Sequence, residues 1–563
     1  MTATIDALVR NVLKDTALLR KKYHIVNQMY QVRTQYEHVW RQLSKYINPY
    51  RGRFDEDLSE DGKRRDMYLL DPLPQLASRR CAAGIHSGLT SPSRPWFKLT
   101  MADAEMAEDH QIRLWLNDCE EIMMAIYAKS NIYNALQQIE DELAQFGTAA
   151  CLLTEDYDTA IWARPYTCGE YAGAVDDKGR VVKFARKMRM YAHQIVDEFG
   201  ADACSDAVKS AHNANNMTTL FDVWMLIEKN SDYDPDKLSF GNFPWQAFYF
   251  EQGGDRFLKV AGYNEQPFLM PRWTVVANAV YGVGPGHDAL GNSMQLQKLE
   301  KLDLQLTDNR ANPPLVVPTS VAKVDRNPGG ITMVPDGHQT QIIPLLGNGT
   351  GSREDLNQKI QVKTQQIQEA FFNDLLAQFT LADNPQMTAR EVAERHEEKL
   401  LMLSPVIEQM HNEVLSPLTK RTFGILMRHG VLPPVPEGVD PASIKVEFVS
   451  LLAQAQQMVA LPAIERTVQF VGNLAGIAPD VLDNINWDEM LREHANINGA
   501  PELIFKDMDE VAEMRQQRAE QQAQQQQIQE AMAMAEPVKK GVEAARLLAE
   551  TRVTNPDALA TIV

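Results

Sequence analysis

The sequence predicts a mainly α chain with an α+β N-terminal region, on three observations. Two helical stretches, residues 287–312 and 352–379, enclose a Pro/Gly-rich strand pair at 313–349. A capped helix start at Thr388 then opens a long apolar stripe that runs to Gly430. Between residues 160 and 280 the helical period gives way to short apolar runs separated by turn residues.

A chain of 563 residues is several times the usual domain size, and 44% hydrophobic against 23% charged residues is the balance of a soluble globular protein with a sizeable core. With 75 acidic and 56 basic residues the formal charge is −19, so there is no overall basic footprint of the kind that grips phosphates. Cys81, Cys119, Cys151, Cys168 and Cys204 are scattered, odd in number and free of any C-x-x-C pair. Buried thiols in a reducing compartment are expected rather than a disulfide framework. Residues 1–14 lack a basic leader region with a small-residue cleavage site, and no run of 18 apolar residues occurs, so neither secretion by that route nor a membrane span is expected.

In chain order, Leu8, Val12, Leu19, Val26, Tyr30, Val39 and Leu43 recur at helical spacing over 3–47, and Asn48-Pro49 ends that helix. The mixed-sign run at 50–66 reads as a solvated loop. Asp71-Pro72 supplies a cap and a first-turn proline for a helix rich in small residues, with Gly88 placed to end it. Strand character follows at 96–99, then a long helical region at 106–146 stopped by Gly147, then a strand at 148–154. A hairpin is expected at Asp176-Asp-Lys-Gly179 between 171–175 and 181–185, with further strands near 221–227 and 245–251. Trp162, Trp224, Trp245, Phe248, Tyr249, Phe250 and Trp273 read as sheet core, because basic residues are not interleaved as in a base-stacking platform.

The first leg carries Leu290, Met294, Leu299, Leu302 and Leu306, the second Leu356, Ile360, Ile367, Phe371 and Leu375, so each is one-sided. Rods of 26 residues, about 39 Å long, would leave apolar stripes for neighbouring copies to cover. Spacing alone fits a helical hairpin buried inside one domain equally well. Thr388-Ala-Arg-Glu391 is a capping box, and Ser404-Pro405 and Ser416-Pro417 are expected to divide the helix it opens into three jointed segments. A proline-rich connector at 433–441 leads to a short strand with Ile444, Val446 and Phe448 alternating. Gln516 to Gln529 is glutamine-dense within a thinly striped helical region, 507–552.

Catalytic constellations do not assemble. The phosphate loop G-x-x-x-x-G-K-[ST] is absent, and Gly282-Val-Gly284-Pro-Gly286 fails the dinucleotide fingerprint because His287 stands at its last glycine, which leaves a chance turn. In Gly84-Ile-His-Ser-Gly88 the serine is misplaced for a nucleophile elbow, so His86 reads as helix surface or core. Arg395-His396-Glu397-Glu398 lacks the second histidine of a zinc helix. Neither cofactor nor metal is expected.

The chain resembles the head-to-tail connector, or portal, proteins of short-tailed bacteriophages. The resemblance begins at Ala83-Gly-Ile-His-Ser-Gly-Leu-Thr-Ser-Pro-Ser-Arg-Pro-Trp-Phe97 and resumes at Gly262-Tyr-Asn-Glu-Gln-Pro-Phe268, Pro271-Arg-Trp273 and Tyr281-Gly-Val-Gly-Pro285. It continues through Asn312-Pro-Pro-Leu315, Met387-Thr-Ala-Arg-Glu-Val392, Glu413-Val-Leu-Ser-Pro-Leu418, Leu432-Pro-Pro434 and Ala453-Gln-Ala-Gln456, in order over residues 80–520. It departs at Val283, where similar proteins more often carry a basic residue, and in the glutamine-rich tail.

That resemblance implies a non-enzymatic portal-type fold and a ring of twelve subunits at one capsid vertex of the virion, assembled in the host cytoplasm around an axial channel for double-stranded DNA. It implies docking of the packaging terminase and then of tail adaptor proteins, contact with major capsid and scaffolding proteins and with internal core proteins, and no membrane. The regions map as an N-terminal wing at 1–286, first stem helix at 287–312, clip at 313–349, second stem helix at 350–379, tunnel loop at 380–388, long kinked wing helix at 389–430, C-terminal wing at 431–506 and crown at 507–563. Tunnel-loop candidates are Leu381, Ala382, Asp383, Asn384 and Gln386; stem channel candidates are Lys298, Lys301, Lys359 and Lys363. Stem packing falls to Leu299, Leu302, Ile360, Ile367 and Phe371, and clip docking to Lys323, Asp325, Arg326 and Asp336. Both legs mix acidic and basic residues in near balance, which suits a wall that duplex DNA, with one charge per roughly 1.7 Å, can slide past.

Overall fold

A computed structural model describes residues 13–54, 67–92, 95–103, 106–107, 109–237, 242–312, 315–317, 324–325, 343–344, 353–374, 403–436, 438–448, 461–475, 485–487, 489–491, 511, 513–525 and 546. The chain divides into two units, Met1–Val459 and Ala460–Val563. In the first unit the described strands are β1 (Phe97–Met101), β2 (Ala150–Asp156), β3 (Ala160–Tyr166), β4 (Tyr171–Val175), β5 (Val181–Tyr191), β6 (Leu220–Lys229), β7 (Trp245–Glu251), β8 (Phe257–Tyr263), β9 (Phe268–Leu269), β10 (Leu315–Val316), β11 (Ile343–Pro344) and β12 (Ile444–Phe448). All their pairings are antiparallel, in sheets ordered β1-β12, β10-β11, β3-β2-β9 and β4-β5-β6-β7-β8. Helices make up most of the rest, so the fold is mainly α with antiparallel sheets.

Helix Thr16–Tyr46 starts where the Asp15 carboxylate accepts from the N–H groups of Ala17 and Leu18, both at 3.0 Å, and ends before Asn48-Pro49. Its Leu19, Val26 and Met29 cover one face of the five-stranded sheet, against Trp224, Leu226, Phe248 and Phe250. On the opposite face Val223 and Leu258 pack with Ile195, Cys204 and Val208, brought there by the short helices Ala192–Phe199 and Asp206–Asn213. Covered on both sides, β6 is buried over six consecutive residues from Val223 to Glu228, and its charged end is tied to Lys22 by an ion pair. The expected hairpin forms: Asp176 Oδ1 accepts from Lys178 N at 3.0 Å and Arg180 N at 2.8 Å, while Gly179 takes φ +74°. Of the aromatics assigned to sheet core, Trp162 is 43% exposed because it lies on the outer face of β3; Trp224, Trp245, Phe248, Phe250 and Trp273 are buried and Tyr249 half-buried.

Several boundaries differ from the expectation. Asp71 Oδ1 accepts from Leu73 N at 2.7 Å, but Pro72 sits at the cap rather than in the first turn, and the helix Leu73–Leu89 passes through Gly88. Gly88 is buried there, so its small size serves packing rather than chain reversal. The region 106–146 holds two helices, His110–Lys129 and Ile132–Phe146. They part because Asn131 pairs sideways with β3, its amide donating to Ala163 O at 2.7 Å and accepting from Ala163 N at 2.9 Å. Helical geometry continues from 403 to 428 through Pro417. A π turn at His411–Leu415, in which Ser416 N bonds His411 O, accommodates the proline ring, so the chain does not break into separate rods there. Gly430, at φ +64°, follows the last turn. The capping box Thr388 to Glu391 and Pro405's upstream neighbours before 403 lie outside the described residues, as do 93–94 within the Ala83 to Phe97 string.

The glycine cluster 282–286 has a structural reason. A Cβ on Gly284 would lie 2.6 Å from Leu143 O, and one on Gly286 2.1 Å from Gln145 O. These glycines let the start of one helix cross against the last turn of Ile132–Phe146, and the chance turn expected from sequence is a required close approach.

In the second unit, Leu461–Ala475 is helical and residues 513–525 form a helical stretch whose side chains are almost all exposed.

Candidate functional site

The first leg is the helix Pro285–Ala311 and the second Arg353–Ala370. They run antiparallel: Lys363 Nζ reaches Asn292 Oδ1 at 3.1 Å while Arg353 Nε reaches Asp303 Oδ1 at 3.3 Å, so one index rises as the other falls. Among the described residues the first leg has 27 residues and the second 18. The second was expected to continue to Phe379, but it turns at Phe372, whose φ is +54°, and stacking of that ring on Trp273 at 6.3 Å accompanies the break.

The base of the pair is built into the core. Ala289, Ser293, Leu296 and Gln297 of the first leg are buried, as are Ile367 and Phe371 of the second. Gln297 Oε1 accepts from Leu70 N at 2.6 Å and Asp71 N at 3.0 Å, while its Nε2 donates to Asp71 O at 2.8 Å. The amide therefore clamps the leg to the start of the helix Leu73–Leu89. Sequence reasoning passed over Gln297, since a polar residue between Leu296 and Lys298 looks like any solvated helix position. His287 caps the leg by accepting from Gly284 N at 3.2 Å, and desolvation holds its pKa below the usual histidine range.

Beyond the base the character changes. Leu299 and Ile360 are half-buried, Leu302 is 42% exposed, and Leu304 and Val362 are more exposed still, at 54% and 52%. Lys298, Lys301 and Lys359 are exposed, whereas Lys363 is half-buried by its contact with Asn292. Burial, with Asp71 and Asp303 close by, raises the Glu300 pKa. The distal surface is thus a mixture of uncovered aliphatic side chains and charges of both signs.

Of the clip, β10 and β11 pair over two positions, Leu315 with Pro344 and Val316 with Ile343. Asp325 is exposed; Lys323, Arg326 and Asp336 lie outside the described residues, as do Leu381, Ala382, Asp383, Asn384 and Gln386 of the loop at 380–388. Among the described residues no helix is long and apolar enough to cross a membrane, and no His, Cys, Asp and Glu group could hold a metal ion. All five cysteines are buried and free, and burial raises their pKa values, to about 12 for Cys119 and Cys151.

Comparison with known proteins places this architecture. Residues 20–505 match the family described as bacteriophage head to tail connecting protein. The probable portal protein of Bordetella phage BPP-1 is 39% identical over 488 residues, covering 86% of this chain and 88% of that protein. The portal protein of Salmonella phage epsilon15 is 34% identical over 556 residues, covering 96% and 98%. A chain in the neck of an empty gene transfer agent particle aligns over 80% of this chain and 96% of its own, at 11% identity and a TM-score of 0.35. With the family matched over most of its length and two relatives above 30% identity, this chain belongs to the bacteriophage head to tail connecting proteins, which are structural parts of the virion rather than enzymes.

Proposed function

We propose that the chain assembles as a ring, of twelve subunits on the family resemblance, at one vertex of a phage capsid, and that its axial channel conducts double-stranded DNA during packaging and ejection. The two legs act as the stem, residues 313–349 as the clip that docks terminase and then tail proteins, and residues 380–388 as a loop facing the channel. Residues 1–286 and 389–506 serve as the wing, with 507–563 as the crown.

The observation that carries this reading is the change along the legs: buried at Leu296, Gln297 and Ile367, uncovered at Leu302, Leu304 and Val362. A helix pair that has finished packing has no use for three exposed aliphatic side chains; neighbours that cover them gain about 25 cal/mol per Å² of apolar surface removed from water. The mixed charge of the legs supports a conduit, since a basic wall would release counterions and bind the duplex tightly. Measuring the assembled mass of the wild type beside the Leu299→Asp/Leu302→Asp variant tests the reading; subunits that remain single in the wild type refute it.

A further inference from the structure

A cleft and a loop tip occupy opposite ends of the same strand pair. The cleft, about 510 Å³, is lined by Asn48, Tyr50, Arg51 and Arg53, the helix Ile132–Phe146 and the C-terminal end of β3, and five arginines line it: Arg51, Arg53, Arg79, Arg164 and Arg186. Three carboxylates partly offset them. Arg51 pairs with Asp141 at 2.8 Å and Glu142 at 3.0 Å, and Arg53 with Glu170 at 3.0 Å. Arg186 lies 4.1 Å from the centroid of the Tyr166 ring, and its buried Nε has no hydrogen-bond partner among the described residues. Arg79 and Arg164 are exposed; Arg79 acts on the Asp141 carboxylate at longer range, and Arg164 has no carboxylate in ion-pair distance among the described residues. In a chain of net charge −19, this is a concentrated positive hollow.

The other end is the turn between β2 and β3. Tyr157 stands 106% exposed at its tip, next to the exposed Asp158. The turn is held in shape: Asp156 Oδ2 accepts from Asp158 N at 3.2 Å, Thr159 N at 2.9 Å and Thr159 Oγ1 at 2.7 Å, and Lys129 Nζ donates to Asp158 O at 3.2 Å. The ladder runs from Ala150 opposite Tyr166 at the cleft to Asp156 opposite Ala160 at the tip, a span of roughly 20 Å.

We propose that the tip of one copy seats Tyr157 and the Asp158 carboxylate in the arginine cleft of the next, so that the β2–β3 pair is a head-to-tail link between subunits. A patch and its complement at different places on one chain make a heterologous contact, the kind that closes into a ring when the rotation allows. Tyrosine is a common interface anchor, and its ring face attracts a guanidinium while Asp158 meets the exposed Arg164. Because the turn is already fixed, little ordering cost attends its insertion. The cleft is far larger than the about 30 Å³ of one water, so a side chain can enter it. This inference rests on the ring reading above and adds to it the identity of one contact.

The test uses the full chain carrying Tyr157→Cys and Arg164→Cys together, treated with a short bifunctional thiol reagent. The native cysteines are all buried, so the reagent reports on the introduced pair; within one chain Arg164 lies four ladder positions, about 13 Å, from the Ala160 end of the turn, beyond a reagent spanning about 5 Å. Assembled particles should give a ladder of chain multiples on a denaturing gel, and either single variant should not. Rings without a ladder overturn this contact and leave the ring reading standing; wild-type chains that remain monomeric overturn both. Independently, Arg164→Asp should weaken assembly on the order of tenfold and Asp158→Arg should restore it in the double variant; a swap without rescue contradicts the proposal.

Discussion

The Gln297 side chain uses both of its polar ends on the backbone at Asp71, accepting from Asp71 N at 3.0 Å and donating to Asp71 O at 2.8 Å. It fixes the height at which the first leg leaves the core. Gln297→Ala would leave these half-buried backbone groups without their partner and should cost about 1 kcal/mol, read as a lower thermal midpoint. Gln297→Met should cost nearly as much despite its similar bulk, because the loss is of hydrogen bonds and not of volume.

Arg272 and Glu413 join the segment before the first leg to the π turn. Arg272 N donates to Glu413 Oε2 at 2.8 Å and its Nε to Oε1 at 3.0 Å, with the guanidinium also donating to Ala279 O at 2.9 Å and Gly179 O at 2.8 Å. The side chains are 3% and 15% exposed, and Arg272→Met should therefore destabilise the fold by about 3–5 kcal/mol, because it strands the Glu413 carboxylate. Denaturant midpoints of the variant and the parent check this.

Glycine positions predict opposite signs. Gly286→Ala places a methyl group against the Gln145 carbonyl and should prevent recovery of folded protein or lower its thermal midpoint sharply. Gly291 lies in the same helix with open space around it, so Gly291→Ala should raise stability by about 0.5–1 kcal/mol. Soluble yield and melting curves of the two variants decide.

The fully buried Glu140 carboxyl lies 3.0 Å from His86 Nδ1, and burial, against the opposing pull of His86, pushes its pKa up to about 7. Desolvation pulls the His86 pKa down, but the hydrogen bond and charge of Glu140 outweigh it, for a net rise. Folded protein then holds protons that the unfolded chain has already released, so Glu140 makes stability fall as pH rises from about 4.5 to about 7, and His86 adds to the fall above its ordinary 6.5. Glu140→Gln should remove most of that slope, a difference on the order of 2–3 kcal/mol between acid and neutral pH. Parallel slopes for variant and parent would contradict it.

Much of the fold was legible because it is written locally. The Asp176 to Gly179 hairpin, the left-handed stop at Gly147 with φ +69° and the alternating strand at Ile444–Phe448 each follow from residues within a turn or two. What the sequence withheld depends on distant partners. No local signal says that Phe97 pairs with Phe448, that Asn131 borrows the edge of β3, or that Phe372 turns the second leg beside Trp273. For the candidate site, Ile367 and Phe371 of the second leg's expected stripe are buried, but none of Leu290, Met294, Leu299, Leu302 and Leu306 is: the first leg turns Ala289, Ser293, Leu296 and Gln297 inward instead, and a glutamine in a helix or a tyrosine among aspartates looks like a solvent-facing residue until the backbone groups around it are placed.

Mass measurement of the purified chain under native conditions, imaged end-on in parallel, bears most directly on assembly through the legs. A single closed species of about twelve chains with a central hole is expected for the wild type, and loss of that species with retained monomer folding for Leu299→Asp/Leu302→Asp, since Leu302 is 42% exposed in the single chain. A wild-type chain that stays monomeric, or a double variant that closes as readily as the parent, would contradict it.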